Sequence, residues 1–371
     1  MGLFDGLRDD KLEKDKAEEF LRKGNEFFNA SKCDKAIKQY VQGIRVMESQ
    51  REKKDSKENK WYLAMFYERV GRAHMIEENY IAAAQSLERC IALREVIINS
   101  DNKDRAEREL SLAYELAGAA YIQVDWDRGK EYLLKHNSLC KKISDRTQLL
   151  EDHMELADSY DLLLELYENG SEKTWHIMKM KEIYEQIHRH LPDNEEIIER
   201  LYYAENLYIE HEIKPKLENS ESELKQFQKE SNHTKAAECC EKIADSKIYI
   251  ALKQNLNFEV IDEGIEHYHN AAENYKKAGQ VGKAVRCYEK AVSIRQALVK
   301  SIENTEKNSH LLDVANARLG YSYLMAAETE DSERKKKEYA EEAYQIFRRL
   351  SEKHPHNENF EKFRDWMGTY L

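Results

Sequence analysis

Proline is nearly missing from this chain: three residues in 371, at positions 192, 215 and 355. Glycine is sparse as well, with 13 mostly isolated residues, so little in the sequence stops a helix and the frequent turn signals of a sheet protein are lacking. No apolar run approaches the roughly 18 residues that a membrane helix needs. The first ten residues carry acids where a secretory signal carries an apolar core, so no membrane association is expected. Cys33, Cys90, Cys140, Cys239, Cys240 and Cys287 show no CxxC spacing. They read as reduced structural thiols in a cytoplasmic protein.

Catalytic signatures are missing too. There is no GxSxG, no HExxH and no Cys/His nucleophile context, and the chain is expected to be non-enzymatic and without cofactors. Gly279-Gln-Val-Gly282-Lys283 only superficially resembles a phosphate loop: the glycines are too close, no Ser or Thr follows the lysine, and no strand precedes it. It reads as a turn between helices. His188 with His190, His267 with His269, and His136 with Cys140 are candidate metal pairs. Only the last has the i, i+4 spacing that puts both side chains on one helix face, and two ligands do not make a zinc site. With 59 basic against 71 acidic residues and no sustained basic stripe, nucleic acid is excluded as a partner, because neutralising phosphates supplies most of that affinity.

What the sequence does have is a repeat. FLRKGNEF from Phe20, YERVGRAH from Tyr67, YELAGAAY from Tyr114 and YDLLLELY from Tyr160 each place a small or apolar residue four positions after an aromatic and an aromatic or His three positions later. The central residues are Gly24, Gly71, Gly118 and Leu164, at steps of 47, 47 and 46. YHNAAENY around Ala272 and NARLGYSY around Gly320 continue the series, and LYYAENLY around Glu205 reads as a degenerate copy, making seven. Residues i, i+4 and i+7 share a helix face, so a partner helix can approach closely at the small residue while the aromatics fill the flanks. Second stripes such as Ala36/Tyr40/Gly43, Ala83/Leu87/Cys90 and Ala284/Tyr288/Ala291 follow in turn.

With these motifs in hand, the sequence resembles the tetratricopeptide repeat family, most plainly over YHNAAENYKKAGQVGKAVRCYEKAVSI from Tyr268. It departs from the 34-residue repeat of that family by a 47-residue period, and so looks like the elongated-helix variants found in kinesin light chains and bacterial repeat proteins. The resemblance implies an all-α, right-handed α-solenoid of helix-turn-helix repeats closed by a C-terminal capping helix. The expected boundaries are an N-terminal tail over 1–10; repeats over 11–56, 57–102, 103–146, 147–192, 193–256, 257–306 and 307–357; and a cap over 358–371. The fifth repeat is expected to carry an irregular insert over 213–231, beginning near Pro215. A second insert is expected from Glu328, with Arg334 to Lys337 as a solvated loop.

Charge is unevenly distributed. Glu151 to Glu212 holds 17 acids and five bases, which leaves 54 of each in the rest of the chain, so the whole net charge of −12 lies in about one-sixth of it. The family lines its groove with first-helix positions two, five, nine and twelve. Carried onto the fourth copy these are Asp158, Asp161, Glu165 and Glu168, all acidic, and Glu199 follows in the fifth. The same carry-over names Leu21, Asn25, Phe28, Met65, Arg72, Met75, Tyr202 and Asn206 as apolar or polar groove residues, with Leu112, Ala119, Ile122 and Ile209 beside them. The resemblance therefore implies an interaction scaffold that holds a partner peptide or helix with a basic segment. The alternative is a regulatory sensor whose superhelix changes pitch on binding a small ligand or signalling peptide.

Overall fold

The computed structural model of the chain describes residues 2–98, 103–254, 257–305 and 309–371. Among them are sixteen α-helices and one π-helical turn, and no strand. The described residues fall into two compact units, Met1–Tyr208 and Ile209–Leu371. The first contains α1 (Gly2–Asn29), α2 (Cys33–Lys53), α3 (Lys57–Ile76), α4 (Tyr80–Ile97), α5 (Lys103–Ile122), α6 (Trp126–Thr147), α7 (Leu150–Leu164), α8 (Ser171–His190) and α9 (Glu195–Tyr208). The second begins with the π-helical turn Ile209–Ile213 and continues through α10 (Lys214–Lys229), α11 (His233–Lys253), α12 (Phe258–Lys277), α13 (Val281–Thr305), α14 (Ser309–Thr329), α15 (Glu333–Lys353) and α16 (Glu358–Gly368). Within each unit, consecutive helices pack in pairs as hairpins, and each hairpin stacks on the next. The result is a tandem array of helical hairpins with all six cysteines buried as free thiols.

The small residues of the repeat lie where the two helices of a hairpin cross. A Cβ on Gly71 would fall 2.6 Å from Leu87 Cγ, and one on Gly118 would fall 2.6 Å from Leu133 Cδ2. Such close approach lets the apolar flanks interdigitate at crystal-like density. The tyrosine four residues before the centre has two tasks. Its ring is buried, and its hydroxyl reaches the second helix of the preceding hairpin: Tyr67 Oη donates to Glu48 at 2.8 Å, Tyr114 Oη to Glu95 at 2.7 Å, and Tyr268 Oη to Asp245. Hairpins are thereby tied to one another by hydrogen bonds to charged acceptors, which are stronger than neutral ones.

A buried guanidinium adds a second tie. Arg94 on α4 donates to Glu68 on α3 and to Glu109 on α5, both at 2.6 Å, and so links three helices. Arg295 stands 23 residues after Ala272, as Arg94 stands 23 after Gly71. It is also buried, and it faces Asp262 at 3.2 Å. Burial holds its pKa down to about 10.

Three expectations about irregular segments are corrected. Residues 2–10, expected as a tail, are the first turns of α1; no proline interrupts the segment. The insert expected over 213–231 is α10, which pairs with α11. Pro215 stands in its first turn, where a missing N–H costs nothing, and the preceding π-helical turn fits the widening seen where a helix must rearrange its hydrogen bonds. The insert expected from Glu328 is the end of α14, a turn over 330–332 and the start of α15. Arg334 to Lys337 are therefore helical rather than loop, because Ser332 and Glu333 start a new helix before them.

The reassignment of α10 restores a register. Ser31, Glu78, Ser231 and Gly279 all take positive φ, at 57°, 58°, 52° and 74°, and each lies in the turn between the two helices of a hairpin. The first two fall seven residues after Gly24 and Gly71, and Gly279 falls seven after Ala272. Ser231 falls seven after Leu224, a half-buried leucine packed against the α11–α13 core. Leu224, not Glu205, thus occupies the centre of the hairpin formed by α10 and α11. From Leu224 to Ala272 and from Ala272 to Gly320 the steps are both 48.

Candidate functional site: an acidic face on the N-terminal unit

The helix α7 packs between α6 and α8 and carries acids on the side left free by its apolar stripe Leu156, Ala157, Tyr160, Leu163 and Leu164. At its first turn Asp152 is structural. Arg108 of α5 grips it with two parallel bonds of 2.8 and 2.6 Å, and Thr147 Oγ1 donates at 2.5 Å. That guanidinium, more than any other group, holds the Asp152 carboxyl below its ordinary range. Asp158 is engaged as well. It accepts Tyr184 Oη at 2.8 Å and pairs with Arg200 of α9, so this member of the expected acidic set helps seat α9.

The next carboxylates are uncompensated. Asp161 accepts only Tyr203 Oη, at 3.1 Å, and Glu165 and Glu168 lie exposed with no ion pair among the described residues. Two acids that the sequence argument did not single out join them: Glu115 on α5 and Glu155 on α7. The carboxyls of Glu115, Glu155 and Asp161 are all pushed above their ordinary values. Burial is the largest cause at each, followed by mutual repulsion. Glu155 and Asp158 act on Glu115, against the attraction of Arg72; Asp158 and Asp152 act on Glu155; Asp158 and Glu165 act on Asp161, against the Tyr203 hydrogen bond and the attraction of Arg200. Carboxylates crowded together and partly shielded from water disfavour their own ionisation.

The remaining predicted residues are scattered. Leu21, Phe28 and Met75 are half-buried and pack against the core of the first three hairpins. Asn25 Oδ1 accepts Tyr40 Oη at 2.8 Å inside its own hairpin. Met65 is half-buried, and Arg72 donates to Glu68 at 3.1 Å. Glu199 and Tyr202 are exposed on α9, and Asn206 is half-buried there. Tyr202 and Tyr203 keep 47% and 49% of their surface in contact with solvent, and Tyr203 borders the acids through its bond to Asp161. The structure therefore gathers Glu115, Glu155, Asp161 and Glu165 with Tyr203, whereas the apolar residues of the first two hairpins belong to packing. Glu115 was within reach of the sequence: it holds position five of the third copy, where only positions two, nine and twelve were read.

No protein-family model matches the chain, and no curated protein matches it. Among solved structures, the TPR2AB domain of yeast Sti1 in its pHSP90 complex is similar at 14% identity, over 95% of this chain and 98% of that one, with a TM-score of 0.37. The apo form of RapI shows 15% identity over 76% and 99%, with a TM-score of 0.36. The P58(IPK) TPR domain shows 13% identity over 96% and 98%, with a TM-score of 0.25. Identities and TM-scores this low say nothing about what the chain binds. The helical hairpins, their close glycine crossings and their recurring left-handed turn residue define a tandem helical-repeat fold, of the kind those TPR structures are built on.

Proposed function

We propose that the chain is a non-enzymatic interaction scaffold and that its N-terminal unit docks a basic peptide or helix against Glu115, Glu155, Asp161 and Glu165. One observation carries this reading: these carboxylates crowd across α5 and α7 with no cation at ion-pair distance among the described residues, and burial and mutual repulsion push three of them above their ordinary pKa despite the attraction of Arg72 for Glu115 and of Arg200 for Asp161. A fold gains nothing from that arrangement. A Lys or Arg arriving from a partner relieves it, and a surface of one sign also speeds encounter. Tyr203, bonded to Asp161, borders the acids and offers a ring face to the same cations.

The test is a fluorescence-anisotropy titration of the full chain with a labelled amphipathic peptide carrying Lys and Arg, beside a Glu-rich peptide of the same apolar pattern. The basic peptide is expected to bind and the acidic one not. Binding draws protons off carboxyls whose pKa is raised, so the affinity should fall as pH drops from about 7 toward 5. Equal affinity for both peptides, or binding that strengthens on acidification, would refute the proposal.

A further inference from the structure

Beside the acidic face, His136 and Cys140 lie one turn apart on α6, and a third donor converges on them that the sequence spacing could not show. Ligand atoms of His136, Cys140 and Glu155 all fall within 4.8 Å of one another. His136 is 1% exposed and Cys140 is 2% exposed. The ring has one nitrogen occupied: Nδ1 lies 3.1 Å from the carbonyl oxygen of Ser111 and 3.0 Å from its Oγ. A proton on Nδ1 donated to that carbonyl leaves Nε2 as the bare acceptor. Among the described residues Nε2 has only the Cys140 sulfur, at 3.7 Å. The same sulfur lies 3.6 Å from Nδ1, beside the ring and not along the Nε2 lone pair, so an ion shared by Nε2 and sulfur at zinc bond lengths of about 2.0 and 2.3 Å requires the imidazole to turn. An outer hydrogen bond from the second ring nitrogen to a carbonyl is the usual way a metal-binding histidine is oriented.

The surroundings favour a cation. Ser111 Oγ is 3.2 Å from Cys140 Sγ and is placed to donate to a thiolate. Glu115 on α5 and Glu155 on α7 act on the same sulfur. A cavity of about 580 Å³ opens onto Ser111, Cys140 and Glu155 between α5 and α7, so a fourth coordination position has room for water or a partner group. We propose that His136, Cys140 and Glu155 form a binding site for a zinc-type divalent cation, with one open position facing this cavity. Nitrogen, sulfur and one carboxylate form a donor set that suits zinc over magnesium or calcium, which prefer oxygen alone.

The experiment uses the full chain stripped with a chelator and titrated with Co²⁺, read by absorption, and with Zn²⁺, read by competition with a chromophoric chelator. One ion per chain and a thiolate-to-cobalt charge-transfer band are expected. Cys140→Ser should remove the band. Cys287→Ser, which removes a buried thiol from the other unit, should keep it. Glu155→Gln, at an exposed position, should retain the far-UV circular dichroism and weaken Zn²⁺ binding by about tenfold or more. Zn²⁺ should raise the melting temperature of the parent chain more than that of Glu155→Gln at equal concentration. The site is refuted if no band forms, if the band survives Cys140→Ser, or if Zn²⁺ affinity is unchanged in Glu155→Gln; the last result decides the matter even where Cys140→Ser fails to fold.

Discussion

Gly71 shows how little room the hairpin crossings leave. Leu87, fully buried on the facing helix, sits where any Cβ would go. Gly71→Leu is expected to overpack the crossing of α3 and α4 and to destabilise by roughly 1 to 3 kcal/mol, measured by urea unfolding followed by circular dichroism. Hydrogen-exchange protection should fall in the substituted hairpin and its neighbours first, because stability in a stacked array is a sum of local terms. An unchanged midpoint would mean that the glycine is not a contact position. This residue was legible in the sequence because a tight crossing leaves a periodic mark of small residues between aromatics. Glu155 left no such mark, since what makes it special is convergence with side chains from α5 and α6, and no spacing along one helix records that. Asp158 was legible as an acid but not as the partner of Arg200, for the same reason.

At the scale of elements, the helical hairpins are legible in the sequence, but the copy centred on Glu205 falls on α9, about 19 residues before Leu224, the centre of the hairpin formed by α10 and α11. Two features concealed α10: Pro215 read as a break although it occupies a first-turn position, and Leu224 stands where other copies have a small residue. The turn residue is the better marker. Seven residues after the centre it sits at positive φ in four of the described hairpins, at Ser31, Glu78, Ser231 and Gly279, while the turn between α7 and α8 has its positive φ at Gly170. A non-glycine side chain in that conformation costs roughly 1 to 2 kcal/mol, and Glu78 is exposed there. Glu78→Gly should therefore raise stability by up to about 1 kcal/mol, the remainder being lost to the greater freedom of glycine in the unfolded chain. A calorimetric melt would show an upward shift, and a lower melting temperature would mean that the Glu78 side chain holds the turn together.

For the molecule as a whole, the decisive feature is that the entire net charge of −12 is concentrated in one stretch of sequence and that part of it converges, uncompensated, on one face of the N-terminal unit. Surface charge in most helical proteins is interspersed, and many of this chain's acids do pair with a base on the next turn, as Glu185 does with Lys181 and Glu196 with Arg200. Asp161 and Glu165 do not. The most direct test is the association rate of the labelled basic peptide, measured by stopped flow with the parent chain and with Asp161→Lys/Glu165→Lys. The reversal should slow association by about tenfold or more at low salt while preserving the helical spectrum, and the difference should shrink as salt is raised from about 50 to 500 mM. Equal rates for the two chains across that range would contradict the docking face and leave its acids as a solvated surface.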